Sequence, residues 1–113
     1  MSKNQNTTDY NHRIPTDIQP SGPKEVFFKW NTGESFRVPY FEIRFECPCA
    51  SCVDEHTGKR VLKRESISPE IRATGMQVIG RYAIQISWTD GHATGMYHFD
   101  RLYELCRNHG TSA

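Results

Sequence analysis

The chain lacks any apolar run near the roughly 18 residues that a membrane-spanning helix needs. Its first residues, MSKNQNTTDYNHRIPTD, have no apolar stretch of the kind that marks a secretory leader. Together these absences predict a cytoplasmic, reducing setting. Disulfides are rare there, and clustered thiols more often bind metal or react. There is also no excess of charge: 14 Lys and Arg face 13 Asp and Glu, for a formal net charge of +1, with the signs interspersed. A nucleic-acid surface needs a concentrated basic face, so neither nucleic acid nor membrane is expected as a partner. No internal repeat and no P-loop occurs. Nor is there a Ser/His/Asp or Cys/His arrangement with persuasive catalytic spacing. Apolar residues make up 36% of 113 positions and aromatics 12%. That supports one domain with a modest core, a size at which a staple often supplements burial.

Residues 1–22 are rich in Asn, Thr, Ser, Asp and Pro and nearly free of apolar side chains. Such a segment cannot offset the entropy of ordering, and a flexible tail is expected, with Tyr10, Ile14 and Ile18 as weak docking points. The ordered domain is then 23–110. KEVFFKW and SFRVPY, joined by NTGE, read as a hairpin with Val26, Phe28 and Trp30 on one face. Gly33 suits a turn position with positive φ. YFEIRFE fits either a helical turn or a strand. Pro48 makes CPCASC a loop or knuckle. Ser68 can cap a short turn at Pro69. MQVIGRYAIQISW is the clearest strand region, because Tyr82, Ile84, Ile86 and Trp88 alternate with smaller or polar residues. Asp90-Gly91 is a hairpin signal leading to TGMYHF. Phe99, Leu102, Tyr103 and Cys106 follow at helical spacing, with Asp100 in the first turn and Gly110 at the stop. Two hairpins, a cysteine knuckle and a C-terminal helix make an α+β domain with a small antiparallel sheet.

Three of the four cysteines, Cys47, Cys49 and Cys52, fall within six residues. Thiolates favour zinc, copper(I) or iron–sulfur iron. A closed structural zinc site takes four Cys or His ligands. C-x-C-x-x-C supplies three, and the fourth must come from elsewhere. His56, His92, His98, His109 and Cys106 are the candidates, with His12 in the tail. His92 sits at a hairpin tip from which a side chain can reach across. Cys106 on the apolar helix face reads better as a small buried hydrophobe. His56 reads as a solvated loop residue, His98 as a sheet residue, and His109 as a partner of the helix dipole.

The CPCASC knuckle, followed by GRYAIQISWTDGHATGMYHFDRLYELC, resembles the domain at the N-terminus of gamma-butyrobetaine hydroxylase. That domain also occurs as stand-alone bacterial proteins of unknown function, the DUF971 family. The likeness runs from about Lys24 to Cys106 and is most specific in C-P-C-A-x-C, G-R-Y-A and W-x-D-G-H. It implies a zinc ion held by Cys47, Cys49, Cys52 and His92. The usual Leu-Arg-x-x-C before the knuckle is here Ile43-Arg44-Phe45-Glu46-Cys47.

The hydroxylase relatives invite an oxygenase reading, with His98, Asp100 and His109 as iron ligands. The resemblance instead places that chemistry in a separate, larger domain, so no enzyme activity is expected. Asp54 and Glu55 could act as bases only beside an open metal, and they read as solvated carboxylates. KRVLKR at 59–64 reads as a solvated face, or else as a docking surface for an acidic partner. The expected function is a non-catalytic zinc-binding module that contacts a protein partner or assembles with itself. Tyr40, Phe41 and Tyr97 are candidate contacts. Similar domains are fused to ATP-binding iron–sulfur carriers of the Mrp type, so the alternative is a carrier or accessory protein in iron–sulfur cluster assembly, with an iron–sulfur cluster in place of zinc.

Overall fold

The computed structural model describes residues 13–49, 52–54, 56–93 and 95–113. Tyr10, His12, Ala50, Ser51 and Glu55 therefore lie outside the described residues. The first hairpin is present as β2 (Glu25–Trp30) and β3 (Ser35–Pro39), with Phe28 opposite Phe36 and Val26 opposite Val38. Gly33 in its turn has φ 93°, a backbone state that a residue without Cβ adopts freely.

The expected tail through residue 22 is corrected. Pro15–Ser21 forms β1, antiparallel to β2, with Ile18 opposite Phe28 and Pro20 opposite Val26. The segment is polar because it is an edge strand, and its two prolines are tolerated there because an edge needs fewer donors. Ile14 and Ile18 pack against the core and tie it down.

Pro39 leads into α1 (Tyr40–Phe45), so YFEIRF is a short helix. Its buried side presents Tyr40, Ile43 and Arg44. Beyond the knuckle, Val53 bridges to Arg60, and a 3₁₀ turn spans Arg64–Ser66. Arg64 stacks over Phe41 and Phe45, and Arg60 over Phe45. Two of the four KRVLKR cations thus fold back onto α1, while Lys59 and Lys63 stay exposed.

The strand region MQVIGRYAIQISW holds parts of two strands. β4 (Ala73–Ile79) turns at Gly80 into β5 (Ala83–Trp88), and Tyr82 lies in that turn, stacked on His98. β6 (Gly95–His98) completes a three-stranded sheet in the order β4-β5-β6. α2 (Phe99–His109) follows at once. Thr111–Ser112 then forms β7 beside β3, extending the first sheet to β1-β2-β3-β7.

Both sheets and both helices share one core. Val26, Phe28 and Trp30 from β2 meet Ile84, Ile86 and Trp88 from β5, with Phe99, Leu102, Tyr103 and Cys106 from α2. Trp30 meets Tyr103 edge-on at 5.4 Å, and Tyr40 meets Trp88 at 6.3 Å. Tyr97 is fully buried and its hydroxyl donates to the Ile43 carbonyl at 2.6 Å, which binds the second sheet to α1. Tyr40 and Tyr97 are therefore core residues and cannot be the expected contact surface.

Candidate metal centre

α1 ends against the knuckle. The Cys47 N–H donates to the Arg44 carbonyl at 3.2 Å, which closes the last turn and carries the first sulfur to the helix end. Pro48 then forces the chain out of helix. The N–H groups of Cys52 and Val53 both donate to the Cys49 carbonyl at 3.0 Å, so a tight turn presents the second and third sulfurs to the same side. The Cys52 carbonyl accepts from Val61 and Leu62, and the Cys47 carbonyl accepts from Arg60 Nη1 at 2.8 Å.

His92 arrives from the β5–β6 hairpin. Gly91 takes φ 87°, and the Asp90 carboxylate Oδ1 accepts the His92 N–H at 2.9 Å. The His92 carbonyl accepts the Trp88 N–H at 2.9 Å. These bonds shape the turn and point the imidazole back toward the knuckle.

The four donor atoms, Sγ of Cys47, Cys49 and Cys52 and one His92 ring nitrogen, all lie within 4.8 Å of one another. His92 Nε2 is 3.2 Å from the sulfurs of Cys47 and Cys49 and 3.8 Å from that of Cys52, and the Cys49 and Cys52 sulfurs are 3.6 Å apart. Tetrahedral ligands at typical zinc–sulfur and zinc–nitrogen lengths sit about 3.5–3.8 Å apart. The residues present fit a single tetrahedral ion.

The walls are close. Cys47 and Cys52 are buried, and Cys49 and His92 half-buried. Gly95 backs the site so tightly that a Cβ there would stand 2.8 Å from Cys47 Sγ. Burial, reinforced by the neighbouring thiols, pushes the Cys47 thiol up to about 12. Gathering three thiolates here therefore requires a compensating cation, and loading a metal must expel protons. Burial alone would raise the Asp90 carboxyl, but hydrogen bonds from the His92 N–H and the Arg44 guanidinium outweigh it and hold the group below its ordinary value.

The other candidates fall elsewhere. His56 is exposed, in a turn where Asp54 Oδ1 accepts the His56 and Thr57 N–H groups. Asp54 is thus engaged as a turn residue. Cys106 is fully buried in the core, where burial pushes its thiol up to about 12. His98 immediately precedes α2, with no side-chain capping bond, and His109 ends it, roughly 16 Å apart at 1.5 Å per residue. That separation rules out a shared iron with Asp100. His109 instead faces Glu42 and Glu46 at 3.7 and 3.8 Å. Sequence reasoning gave no role to Arg44 or Gly95. The signal for Arg44 was a cation at the i+4 position of the otherwise apolar Tyr40-Ile43 stripe.

The family model described as gamma-butyrobetaine hydroxylase-like, N-terminal, matches residues 11–103. The chain belongs to this family. A crystal structure of a protein of unknown function from Acidithiobacillus ferrooxidans, a member of the DUF971 family, superposes with TM-score 0.62 at 27% identity, covering 81% of this chain and 91% of that one. A solution NMR structure aligns with TM-score 0.61 at 26% identity, over 86% of this chain and 75% of that one. Another shares the fold with TM-score 0.70 at 21% identity, over 96% and 76%. No curated protein sequence matches the chain. The resemblance seen in the sequence is borne out, and the Cys47, Cys49, Cys52 and His92 cluster could hold a metal ion.

Proposed function

We propose that the protein is a non-catalytic metal-stapled binding module in which Cys47, Cys49, Cys52 and His92 hold one structural zinc ion. The observation that carries this reading is the convergence of all four donor atoms within 4.8 Å. Three sulfurs and one nitrogen are a closed structural zinc set, with no ligand position left for substrate or water. A multi-iron cluster spreads its thiolates over different iron atoms, whereas this spacing suits one ion. When bound, the ion supplies folding energy by locking the knuckle to the β5–β6 hairpin. The chain's own part is to hold the four ligands in register.

Interaction with a protein partner is the role this module would serve. Three of the four large apolar side chains exposed among the described residues, Val78, Tyr82 and Met96, belong to the second sheet and its turn. The exposed side chains of that sheet and its turn, rather than the buried Tyr40 and Tyr97, are the surface to probe. Elemental analysis with a visible spectrum, on protein purified without oxygen, tests the metal. One zinc per chain with no visible absorption is expected. Iron with labile sulfide would replace the zinc reading with iron–sulfur handling in the cytoplasm.

A further inference from the structure

Arg44 is the one charged residue buried among the described residues, at 6% exposure. A buried guanidinium is costly unless it is paired and hydrogen-bonded. Its partners here are specific. Nε donates to Asp90 Oδ2 at 3.0 Å, and Nη1 points at Cys52 Sγ from 3.6 Å. The other Asp90 oxygen accepts the His92 N–H at 2.9 Å. One continuous path therefore runs from a knuckle sulfur, through the buried face of α1, to the backbone of the histidine 40 positions later.

Resting on the metal reading above, we propose that Arg44 and Asp90 are positioning residues of the metal centre: Arg44 neutralises charge at the Cys52 sulfur, and through Asp90 it sets the hairpin turn that delivers His92. A divalent ion with three thiolates and a neutral imidazole carries one net negative charge. A guanidinium beside one of those sulfurs favours that anionic state in a water-poor site. Asp90 is held by the same cation, so the turn carrying His92 cannot drift without separating a partly buried ion pair. Arg and Lys are not equivalent at this position. The planar fork reaches sulfur and carboxylate at once, whereas an ammonium is a point donor.

The test compares the full chain with Arg44→Lys, Arg44→Gln and Asp90→Asn. Zinc affinity is measured by competition with a chromophoric chelator, and ligand geometry by the visible spectrum of the cobalt(II)-loaded protein. Arg44→Gln is expected to lower zinc affinity about 10- to 100-fold, the usual effect of losing an outer-shell partner, and to shift the thiolate-to-cobalt band. Arg44→Lys should recover part of the affinity, and Asp90→Asn should fall between. If Arg44→Gln does not fold, Arg44→Lys and Asp90→Asn decide the matter alone. Wild-type affinity and an unchanged cobalt spectrum in these variants, even with lowered thermal stability, would overturn the proposal. A wild-type chain that binds neither zinc nor cobalt would overturn the metal reading, and this proposal with it.

Discussion

His92 brings the only nitrogen to a group of three sulfurs, and it comes from a hairpin 40 residues beyond the last of them. Removing it opens the fourth position and unlinks the hairpin from the knuckle. On the metal reading proposed above, His92→Ala and Cys49→Ser are each expected to lose zinc on dialysis. Each should also lower the melting temperature by roughly 10 °C or more, the shift that about 2 kcal/mol produces in a domain near this size. Unchanged zinc content and melting would sink the assignment. Gly95 offers a finer probe. A methyl group there would stand 2.8 Å from Cys47 Sγ and 3.2 Å from the Tyr97 ring, both buried. Gly95→Ala should destabilise by about 1–3 kcal/mol through overpacking. Gly75→Ala, with nothing within 4 Å of its added methyl, should stay within about 0.5 kcal/mol of wild type. Equal effects in chemical denaturation would mean the close fit at Gly95 has no energetic weight.

Among the elements, β1 covers one edge of β2 and, with Ile14 just before it and Ile18 within it, packs onto the core. Deleting residues 1–21 is expected to lower the melting temperature and promote association, since it bares an edge flanked by Phe28 and Trp30. An unchanged melt in a monodisperse sample would contradict this. The α1 element is latched to the 60–66 segment by Arg64, whose two nitrogens meet the Glu42 carboxylate at 3.1 and 2.7 Å. The hydrogen bonds from Arg64 hold the Glu42 carboxyl below its ordinary 4.5. Folding therefore favours the deprotonated form. That stability is present above 4.5 and is lost as pH falls through the lowered folded value. Arg64 is exposed, so solvent screens its pairing with Glu42 and Arg64→Ala should lower stability only slightly at neutral pH. The difference from wild type should vanish in strongly acidic solution. A deficit that persists there would assign the effect to the stacking of Arg64 on Phe41 and Phe45.

At the scale of the whole molecule, two small sheets and two helices share one core, and a thiol that plays no part in the metal centre sits inside it. Burial pushes Cys106 from its ordinary 9.0 up to about 12. The unfolded chain releases this proton first, so the folded state binds more protons between those values. Stability should be full below pH 9 and fall as pH rises toward 12. Cys106→Ala, measured by denaturant unfolding across that range, should flatten the decline. An equally steep decline would assign the alkaline lability to another buried group, Tyr97 foremost, since burial raises it.

Local chemistry determined a good deal on its own. The alternation in β2 and β5, the 3.6-residue spacing of α2, the Asp90-Gly91 turn and the C-x-C-x-x-C knuckle follow from side-chain periodicity and backbone preference, which neighbouring residues set. Edge strands escaped that reading. β1 buries little, and its prolines argue against a strand, so only pairing with β2 makes it one. The break at Gly80 was hidden because apolar alternation runs up to it and resumes directly after it. Spacing left the histidines open, since it cannot say which loop folds over the knuckle; the family resemblance implied His92, and the tertiary structure brings its ring to the three sulfurs. It also decided Arg44: a cation in a short amphipathic helix looks solvated until Cys52 and Asp90 are brought to it from 8 and 46 residues away.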